Sequence, residues 1–251
     1  MKAMVLAAGL GTRLRPLTED RPKALVEVGG RTLLEITLAR LRSFGIGEVI
    51  INVHHRAEMI EDYLRAHSNF GMNIQISRED DLLLDTGGGL KKAGWFFLGD
   101  PESGGREAPF LLHNVDVISN IDFRRMREVH SLTNALATLA VQDRRSSRYL
   151  LFDQSLELSG RQAGSAAGVE MVRPASGAQP LAFSGIHVIS PRLIPLMTER
   201  EPFSIIDSYL RLAAQGEKIL GFRADQYFWR DLGKPAEIAQ AAADLEAGRF
   251  E

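Results

Sequence analysis

The sequence predicts an α/β protein with a doubly wound, mostly parallel, Rossmann-like sheet and a small antiparallel lid. Three observations predict this class. A short apolar strand at the N-terminus leads directly into a turn with glycines at Gly9 and Gly11. Strand and helix patterns then alternate up to Ile76, and from Ala135 onward short strands follow one another with turns between them. Alternation is typical of parallel sheets covered by helices, whereas strands in direct succession favour antiparallel pairing.

The length and composition favour one domain over residues 1–251, divided into halves 1–134 and 135–251. The 251 residues and 45% hydrophobic content are ordinary for a single α/β domain with a full core. A formal net charge of −2 argues against general binding to nucleic acid. The absence of cysteine excludes disulfides and thiolate metal sites, and no apolar stretch approaches the length of a membrane span. We therefore expect a soluble, cytoplasmic protein that binds neither nucleic acid nor membranes.

The elements of the first half follow from capping signals and periodicity. Thr32 and Glu35 have the spacing of a capping box, and the helix that they begin ends at Gly45. Glu48–Val53 is a mostly apolar strand. An amphipathic helix is predicted next, with Ala57, Ile60, Tyr63 and Leu64 on its buried face. A half-buried strand follows, in which Met72, Ile74 and Ile76 alternate with polar residues.

Caps, turn residues and apolar runs also predict the remaining elements. Asp122 and Ser204 are expected to cap helices, and an alanine-rich helix ends near Gly248. Glycines and prolines predict loops at 99–109 and 160–177. Strands are predicted at 110–117, 135–141, 149–152, 155–158, 181–189 and 218–222.

The glycine turn after the first strand is suited to a polyphosphate. Gly9 and Gly11 allow positive φ and close approach of the backbone, so that successive N–H groups can face an anion. Four cations follow the turn, namely Arg13, Arg15, Arg21 and Lys23. A dinucleotide fingerprint is excluded because Leu14 stands where its third glycine belongs, and no P-loop ending G-K-[ST] occurs.

Residues 6–18 read LAAGLGTRLRPLT and residues 22–25 read PKAL. This run resembles the signature of the sugar-1-phosphate nucleotidylyltransferases, L-A-A-G-x-G-T-R-L-x-P-L-T-x-x-x-P-K-x-L. The resemblance implies transfer of a nucleoside monophosphate from a nucleoside triphosphate to a sugar 1-phosphate, with Mg²⁺ as cofactor and pyrophosphate as second product. The short length and the T-G-G-G element favour the uridylyltransferases for N-acetylmuramic acid 1-phosphate, with the guanylyltransferases for mannose or heptose 1-phosphate as the alternative.

The resemblance also implies roles for individual residues. Arg13 would hold the β- and γ-phosphates, and Lys23 would meet charge that develops near the α-phosphate. Three successive glycines are costly inside a helix, so residues 86–89 are expected to form a loop or helix entry capped by Thr86 and lying against the base. The expected nucleotide contacts are Leu6, Ala7, Ala8, Gly9, Gly11, Thr12, Asp85, Thr86, Gly87, Gly88 and Asn114.

Two aspartates are expected to hold the metal ion. Asp116 ends an otherwise apolar strand, where a carboxylate must be solvated, paired or metal-bound. The resemblance assigns Mg²⁺ to Asp116 and to Asp231 in Trp-Arg-Asp-Leu-Gly, although Val115 replaces the usual glycine. It places the acceptor sugar phosphate at Glu170, Arg173 and Gly185.

Two other functions fit the sequence less well. A non-catalytic nucleotide-sugar sensor on the same scaffold should have lost a signature cation or a metal carboxylate, yet Arg13, Lys23, Asp116 and Asp231 are all present. An NAD-dependent oxidoreductase is disfavoured by Leu14. The sequence leaves the sugar, the base and the oligomeric state, monomer or dimer, open.

Overall fold

The computed structural model describes residues 1–98, 108–163 and 168–249. Within them, the helices are α1 (Leu33–Ser43), α2 (Ala57–Ala66), α3 (Asp85–Lys92), α4 (Phe123–Thr133), α5 (Ile205–Ala214) and α6 (Pro235–Glu246). The strands are β1 (Ala3–Leu6), β2 (Glu27–Val28), β3 (Arg31–Thr32), β4 (Glu48–Val53), β5 (Asn73–Arg78), β6 (Phe110–Asn114), β7 (Val117–Ser119), β8 (Ala137–Gln142), β9 (Arg148–Phe152), β10 (Leu158–Ala163), β11 (Val169–Met171), β12 (Gln179–Ile189), β13 (Ile219–Arg223) and β14 (Trp229–Asp231).

One large mixed sheet organises the molecule. Its strand order is β11-β10-β9-β12-β6-β1-β4-β5, and β8 pairs with β12 and β13. Strand β1 lies parallel to both β4 and β6, and Leu6 is in register with Asn52 on one side and Asn114 on the other. The carboxyl ends of these three strands therefore meet at one edge, where ligands bind in this architecture.

The sheet has a hydrophobic core on each face, which confirms the predicted α/β class. Alternate residues of a strand point to opposite faces, so Val5 packs with α1 residues such as Leu38, whereas Met4 packs with α5 residues such as Leu210. Buried side chains of α2, α4 and α6 join the first core, and those of α3 join the second. The apolar periodicity of the sequence predicts helices between the parallel strands. Because such helices cover the faces of a sheet, the same periodicity predicts both cores.

The helix starts predicted at Thr32, Asp122 and Ser204 are confirmed. Thr32 Oγ1 accepts the Glu35 N–H at 3.0 Å, and the Asp122 carboxylate accepts two N–H groups at the start of α4. Ser204 Oγ accepts the N–H of Ile206. Each cap satisfies a backbone donor that the first helical turn leaves without a partner.

Several predicted boundaries after residue 109 were wrong. The strand over 110–117 ends at Asn114, and a turn separates β6 from β7. Of the strand predicted over 155–158, only Leu158 belongs to a strand, the start of β10, because the Asp153 carboxylate accepts the N–H groups of Ser155 and Glu157 and closes a turn before it. The predicted loop at 160–177 contains the end of β10 and all of β11. Parts of two predicted loops, residues 99–107 and 164–167, lie outside the described residues.

The antiparallel strands predicted as a lid are present, and they continue the large sheet. Strand β12 pairs antiparallel with β6, β8 and β9, while β9, β10 and β11 follow as antiparallel neighbours. They thus extend the sheet beyond β6 on the side away from β4. In the described part of the chain, no helix has the length and apolar character needed to cross a lipid bilayer.

Candidate active site

A cavity of about 540 Å³ opens at the carboxyl ends of β1, β4 and β6. This volume is in the range of pockets for small ligands. The cavity brings together many residues that the sequence predicts for the nucleotide and the metal. Its walls are Leu6, Ala7, Ala8, Gly9, Lys23, Asn52, Glu79, Leu83, Asp85, Thr86, Asn114, Val115, Asp116 and Pro202.

The two glycines of the loop after β1 serve different purposes. Gly11 has a φ of +66°, and a Cβ there would lie 3.0 Å from Thr18 Cγ2, so the position favours glycine on two grounds. Gly9 does not have a positive φ, contrary to expectation, and a Cβ there would meet nothing within 4 Å. The space above Gly9 is thus open to a ligand.

The expected cluster of four cations is only partly formed. Arg13 lies on a short 3₁₀ turn and approaches Gly233, where a Cβ would be 3.0 Å from its Nη2 atom. Lys23 lines the cavity. Arg21 forms ion pairs with Asp20 and Glu27 instead, and Arg15 is exposed. Arg13 and Lys23 are therefore the signature cations that the fold places beside the two aspartates.

Asn52 and Glu79 are buried polar residues in the wall of the cavity. Asn52 Oδ1 accepts the Ala7 N–H at 2.8 Å, and its amide nitrogen donates to Glu79 Oε1 at 2.7 Å. The second oxygen of Glu79 accepts the Leu84 N–H at 2.9 Å. These bonds tie the loops after β1 and β5 together. No motif in the sequence marks Glu79, and the signal that could have found it is its position directly after the parallel strand β5.

Lys23 and Asp116 form a hydrogen-bonded ion pair across the cavity. The Lys23 side chain is only 10% exposed and that of Asp116 is 19% exposed. A shielded pair of this kind has a fixed geometry, because each charge needs its partner when water is largely excluded. The pair places the ammonium of Lys23 next to a proposed metal ligand.

The structure brings Asp231 beside Asp116 although 115 positions separate them in the sequence. Strand β14 pairs with β7, with Asp231 opposite Val117, and the Leu232 N–H donates to the Asp116 carbonyl at 2.8 Å. Oδ1 of Asp231 accepts the Gly233 N–H at 2.7 Å. The two aspartate segments therefore meet each other, and Arg13 of the loop after β1 lies close to Asp231 and Gly233.

The electrostatics of these carboxylates suit a divalent cation. Burial raises the pKa of Asp231 and the carboxylate of Asp116 raises it further, whereas Lys23, the Gly233 amide and Arg13 oppose the rise. Two oxygen anions thus repel each other in a partly buried place. A hard cation would relieve that repulsion, and carboxylate oxygens are the ligands that Mg²⁺ prefers.

The glycine triplet is helical, and the expectation that Thr86 caps its own helix was wrong. Gly87, Gly88 and Gly89 lie inside α3, and Thr86 Oγ1 instead accepts the N–H of Ile205 at the start of α5. The glycines allow close packing, because a Cβ on Gly87 would lie 2.3 Å from the Phe203 ring. Asp85 and Thr86 line the cavity, whereas Gly87 and Gly88 pack against the 201–203 segment and Leu84.

The three residues predicted for the acceptor are not brought together. Gly185 has a φ of +74° within β12, and a Cβ there would lie 2.8 Å from the Asn114 amide, so it borders the cavity end. Arg173 forms an ion pair with Glu157, and Glu170 forms one with Arg161. Glu170 belongs to β11, which three strands separate from β6, and Arg173 follows that strand.

Comparison with known proteins shows what the chain resembles. A family model described as nucleotidyl transferase matches residues 2–248. An N-acetylmuramate alpha-1-phosphate uridylyltransferase of Caulobacter vibrioides is 35% identical over 98% of this chain and 97% of its own length. A mannose-1-phosphate guanyltransferase of Yarrowia lipolytica is 30% identical over 95% of this chain, which spans 62% of that relative.

The fold has counterparts among solved structures. HddC from Yersinia pseudotuberculosis, complexed with GMP-PN, superposes with a TM-score of 0.74 at 20% sequence identity. The match covers 97% of this chain and 99% of that one. At this identity the likeness shows a shared fold over nearly the whole of both chains.

Proposed function

Because the chain belongs to the nucleotidyl transferase family, we propose that it transfers UMP from UTP to N-acetylmuramate 1-phosphate. A phosphate oxygen of the sugar 1-phosphate would attack the α-phosphorus of the triphosphate. The bond between that phosphorus and the bridging oxygen to the β-phosphate would break, so that pyrophosphate leaves and a nucleoside-diphosphate sugar forms. The proposal requires a site that gathers several phosphate groups and balances their charge.

The observation that carries the proposal is the meeting of Lys23, Asp116 and Asp231, of which the first two line the same cavity as Gly9 of the glycine loop. The attacking phosphate is already ionised, so the protein needs to supply position and charge stabilisation rather than a general base. We assign Lys23 to charge on the α-phosphate. Arg13, beside Gly233, is assigned to the β- and γ-phosphates.

The nucleotide is proposed to lie along the cavity from the glycine loop to α3. Backbone groups of residues 6–9, together with Gly11 and Thr12, would approach the phosphates where the space above Gly9 is open. Asp85 and Thr86 face the same cavity from α3, and Asn114 faces it from β6. Gly87 and Gly88 would approach the base only through their backbone atoms, because a Cβ on Gly87 would meet Phe203 and one on Gly88 would meet Leu84.

Asp116 and Asp231 are the residues that would hold Mg²⁺. A bound Mg²⁺ would neutralise phosphate charge and align the triphosphate. The described residues contain no group of three or more carboxylate or imidazole side chains placed to hold a metal. Two carboxylates suffice for Mg²⁺, because it usually takes its other ligands from water and substrate phosphates.

The two halves of the chain would divide the substrates between them. In this proposal residues 1–134 bind the nucleotide, and residues 135–251 bind the sugar phosphate near Gly185 and Asp231. The similarity to the Caulobacter vibrioides uridylyltransferase over nearly both full lengths supports the choice of substrates. The similarity to the fungal guanyltransferase supports a second candidate pair, GTP with mannose 1-phosphate, or with heptose 1-phosphate as the alternative sugar.

Pyrophosphate release tests the proposal. The purified protein is incubated with Mg²⁺ and each of UTP, GTP, CTP, dTTP and ATP against N-acetylmuramate, mannose, heptose and glucose 1-phosphates. Fastest release with UTP and N-acetylmuramate 1-phosphate is the expected result. Fastest release with GTP and mannose or heptose 1-phosphate would support the second candidate. A protein that binds a triphosphate but releases no pyrophosphate with any acceptor would instead be a sensor.

A further inference from the structure

Arg144 is held in an unusual position next to the proposed acceptor side of the site. It follows β8, and its guanidinium lies over the Trp229 ring with 3.7 Å between the guanidinium carbon and the ring centroid. One terminal nitrogen, Nη2, donates to the Phe183 carbonyl at 2.8 Å. Stacking and this hydrogen bond fix the plane of the guanidinium, so little further entropy is lost when it binds a partner.

The surroundings of Arg144 belong to the site described above. Trp229 and Asp231 are two positions apart in β14, so their side chains share one face of the strand. The indole nitrogen of Trp229 donates to the Ser184 carbonyl at 2.8 Å, next to Gly185. Burial lowers the pKa of Arg144, whereas the carboxylate of Asp231 and Tyr149 raise it. Arg144 therefore lies within the electrostatic field of a proposed metal ligand and stays charged at neutral pH.

Part of the guanidinium has no protein partner. The Nε atom of Arg144 is buried and makes no hydrogen bond, and among the described residues Nη1 has no partner either. The buried Nε donor is costly, because it has lost water without gaining an acceptor, whereas Nη1 is not among the buried donors and stays available to a partner. An oxyanion is the partner that fits Nη1, since a hydrogen bond from a guanidinium N–H to a phosphate or carboxylate oxygen is charge-assisted at both ends.

We propose that Arg144, positioned by Trp229 and the Phe183 carbonyl, binds an oxyanion of the acceptor sugar 1-phosphate and thereby helps to select the acceptor. This inference rests on the proposed function, because it takes the acceptor to be a sugar 1-phosphate. The oxyanion is either the 1-phosphate itself or a carboxylate carried on the sugar. N-acetylmuramate 1-phosphate has both groups, whereas N-acetylglucosamine 1-phosphate lacks the lactyl carboxylate.

Isothermal titration calorimetry with these two acceptors tests the inference. Each is titrated into the protein with Mg²⁺, alone and with a UTP analogue whose α,β bridge cannot be cleaved. Wild type is compared with Arg144→Gln and with Arg145→Gln, a matched control at an exposed arginine one position along the chain. Arg144→Gln should raise the Kd of the acceptor by about 10- to 100-fold, the scale of a hydrogen bond to a charged group, and change the Kd of the analogue less than about twofold.

The outcomes separate the two sources of the oxyanion. Weaker binding of both acceptors assigns Arg144 to the 1-phosphate, and weaker binding of the muramate acceptor alone assigns it to the carboxylate. Either result supports the inference. An unchanged acceptor Kd, an equal loss for the analogue, or the same loss in Arg145→Gln would overturn it. If Arg144→Gln does not fold, Arg144→Lys keeps the charge without the planar fork and should still weaken acceptor binding.

The same preparations distinguish this inference from the proposed function. Pyrophosphate release by wild type tests the function, whereas the change in acceptor Kd tests Arg144. A protein that binds the acceptor through Arg144 but releases no pyrophosphate would remove the function and leave the inference standing. An unchanged acceptor Kd in Arg144→Gln, together with pyrophosphate release by wild type, would overturn the inference alone.

Discussion

The Lys23 ammonium donates a hydrogen bond to the Asp116 carboxylate from a position 93 residues away in the sequence. The pairing of β1 with β6 makes this contact, since it aligns the loops that follow the two strands. Both side chains are largely shielded from water. Removing one partner of such a pair leaves an uncompensated charge, so each residue supports the other in both structure and reaction.

Lys23→Ala should lower kcat by about 100-fold or more, the scale of a lost donor to developing charge. The physical reason is that the ammonium faces charge that is larger or better aligned in the transition state than in the bound substrates. Steady-state pyrophosphate release at saturating Mg²⁺ measures the effect, and circular dichroism checks folding.

Arg15→Ala is the matched control for Lys23→Ala, because Arg15 is an exposed cation in the same signature segment. Its kcat should stay near that of wild type. A similar loss in Arg15→Ala would point to the general positive field of the loop. Unchanged turnover in Lys23→Ala would exclude the role assigned to Lys23.

Gly87→Ala should destabilise the protein, because the new Cβ would lie 2.3 Å from the Phe203 ring and 2.9 Å from its carbonyl oxygen. Overpacking of this kind costs about 1 to 3 kcal/mol, which thermal unfolding detects. Gly88→Ala should behave similarly, since its Cβ would meet Leu84 at 2.9 Å. A rise in the KM of the triphosphate with no loss of stability would instead mean that the added methyl groups reach the bound nucleotide rather than Phe203 and Leu84.

Gly9→Val is expected to show the opposite pattern. The position is open, so the free energy of unfolding should change by less than about 0.5 kcal/mol. The larger side chain would fill space above the cavity and raise the KM of the triphosphate more than that of the sugar phosphate. Equal rises for the two substrates would contradict the placement of the triphosphate at this loop.

Stability should fall in mild acid because of buried histidines. Burial lowers the pKa of His130 to about 4 and that of His187 to about 3. The unfolded chain binds a proton at each near the ordinary pKa of about 6.5, so unfolding takes up protons below that pH. The stabilisation is present above about pH 6.5 and is lost progressively as the pH falls towards about 4.

The unfolding midpoint Tm, measured across this range, checks the prediction. His130→Gln should flatten the slope of Tm against pH, whereas His67→Gln, at an exposed histidine, should leave the slope as it is. Parallel slopes in wild type and His130→Gln would show that His130 does not control the acid response.

Local patterns predict most of this fold because the interactions behind them are local. The cap at Thr32 bonds to a residue three positions away, and the strand Glu48–Val53 is a continuous run of mostly apolar residues. The motif around Gly9 to Lys23 likewise identifies the loop because its residues are close in sequence. The class of the protein and the ends of several elements therefore follow from the chain itself.

The features that the sequence does not predict depend on distant contacts. The glycine triplet lies inside α3, where Gly87 leaves room for Phe203, more than a hundred positions away. Glu79 becomes part of the site only when β4 and β5 align it with Asn52. Arg144 gains its position from Trp229, which no periodicity in the sequence connects with it. All three features depend on contacts between segments that are far apart in the sequence.

Asp116 and Asp231 should act as one unit, because β7 and β14 hold them together beside Lys23 and Arg13. Asp116→Asn and Asp231→Asn should each remove most activity. The double variant should be little worse than either, since residues that share one function give strongly non-additive losses. If the fold-losses of activity in the two single variants multiplied in the double variant, the two aspartates would have independent roles.

The most direct test of the account is the dependence of activity on Mg²⁺ concentration in wild type, Asp116→Asn and Asp231→Asn. If the two carboxylates share the metal, each single variant should need a higher Mg²⁺ concentration for half-maximal pyrophosphate release, because a hard anionic ligand has been lost. If Asp231 serves only to pair with a neighbouring cation, thermal stability should drop while the Mg²⁺ curves of wild type and variants superimpose. Superimposable curves would contradict a shared magnesium site.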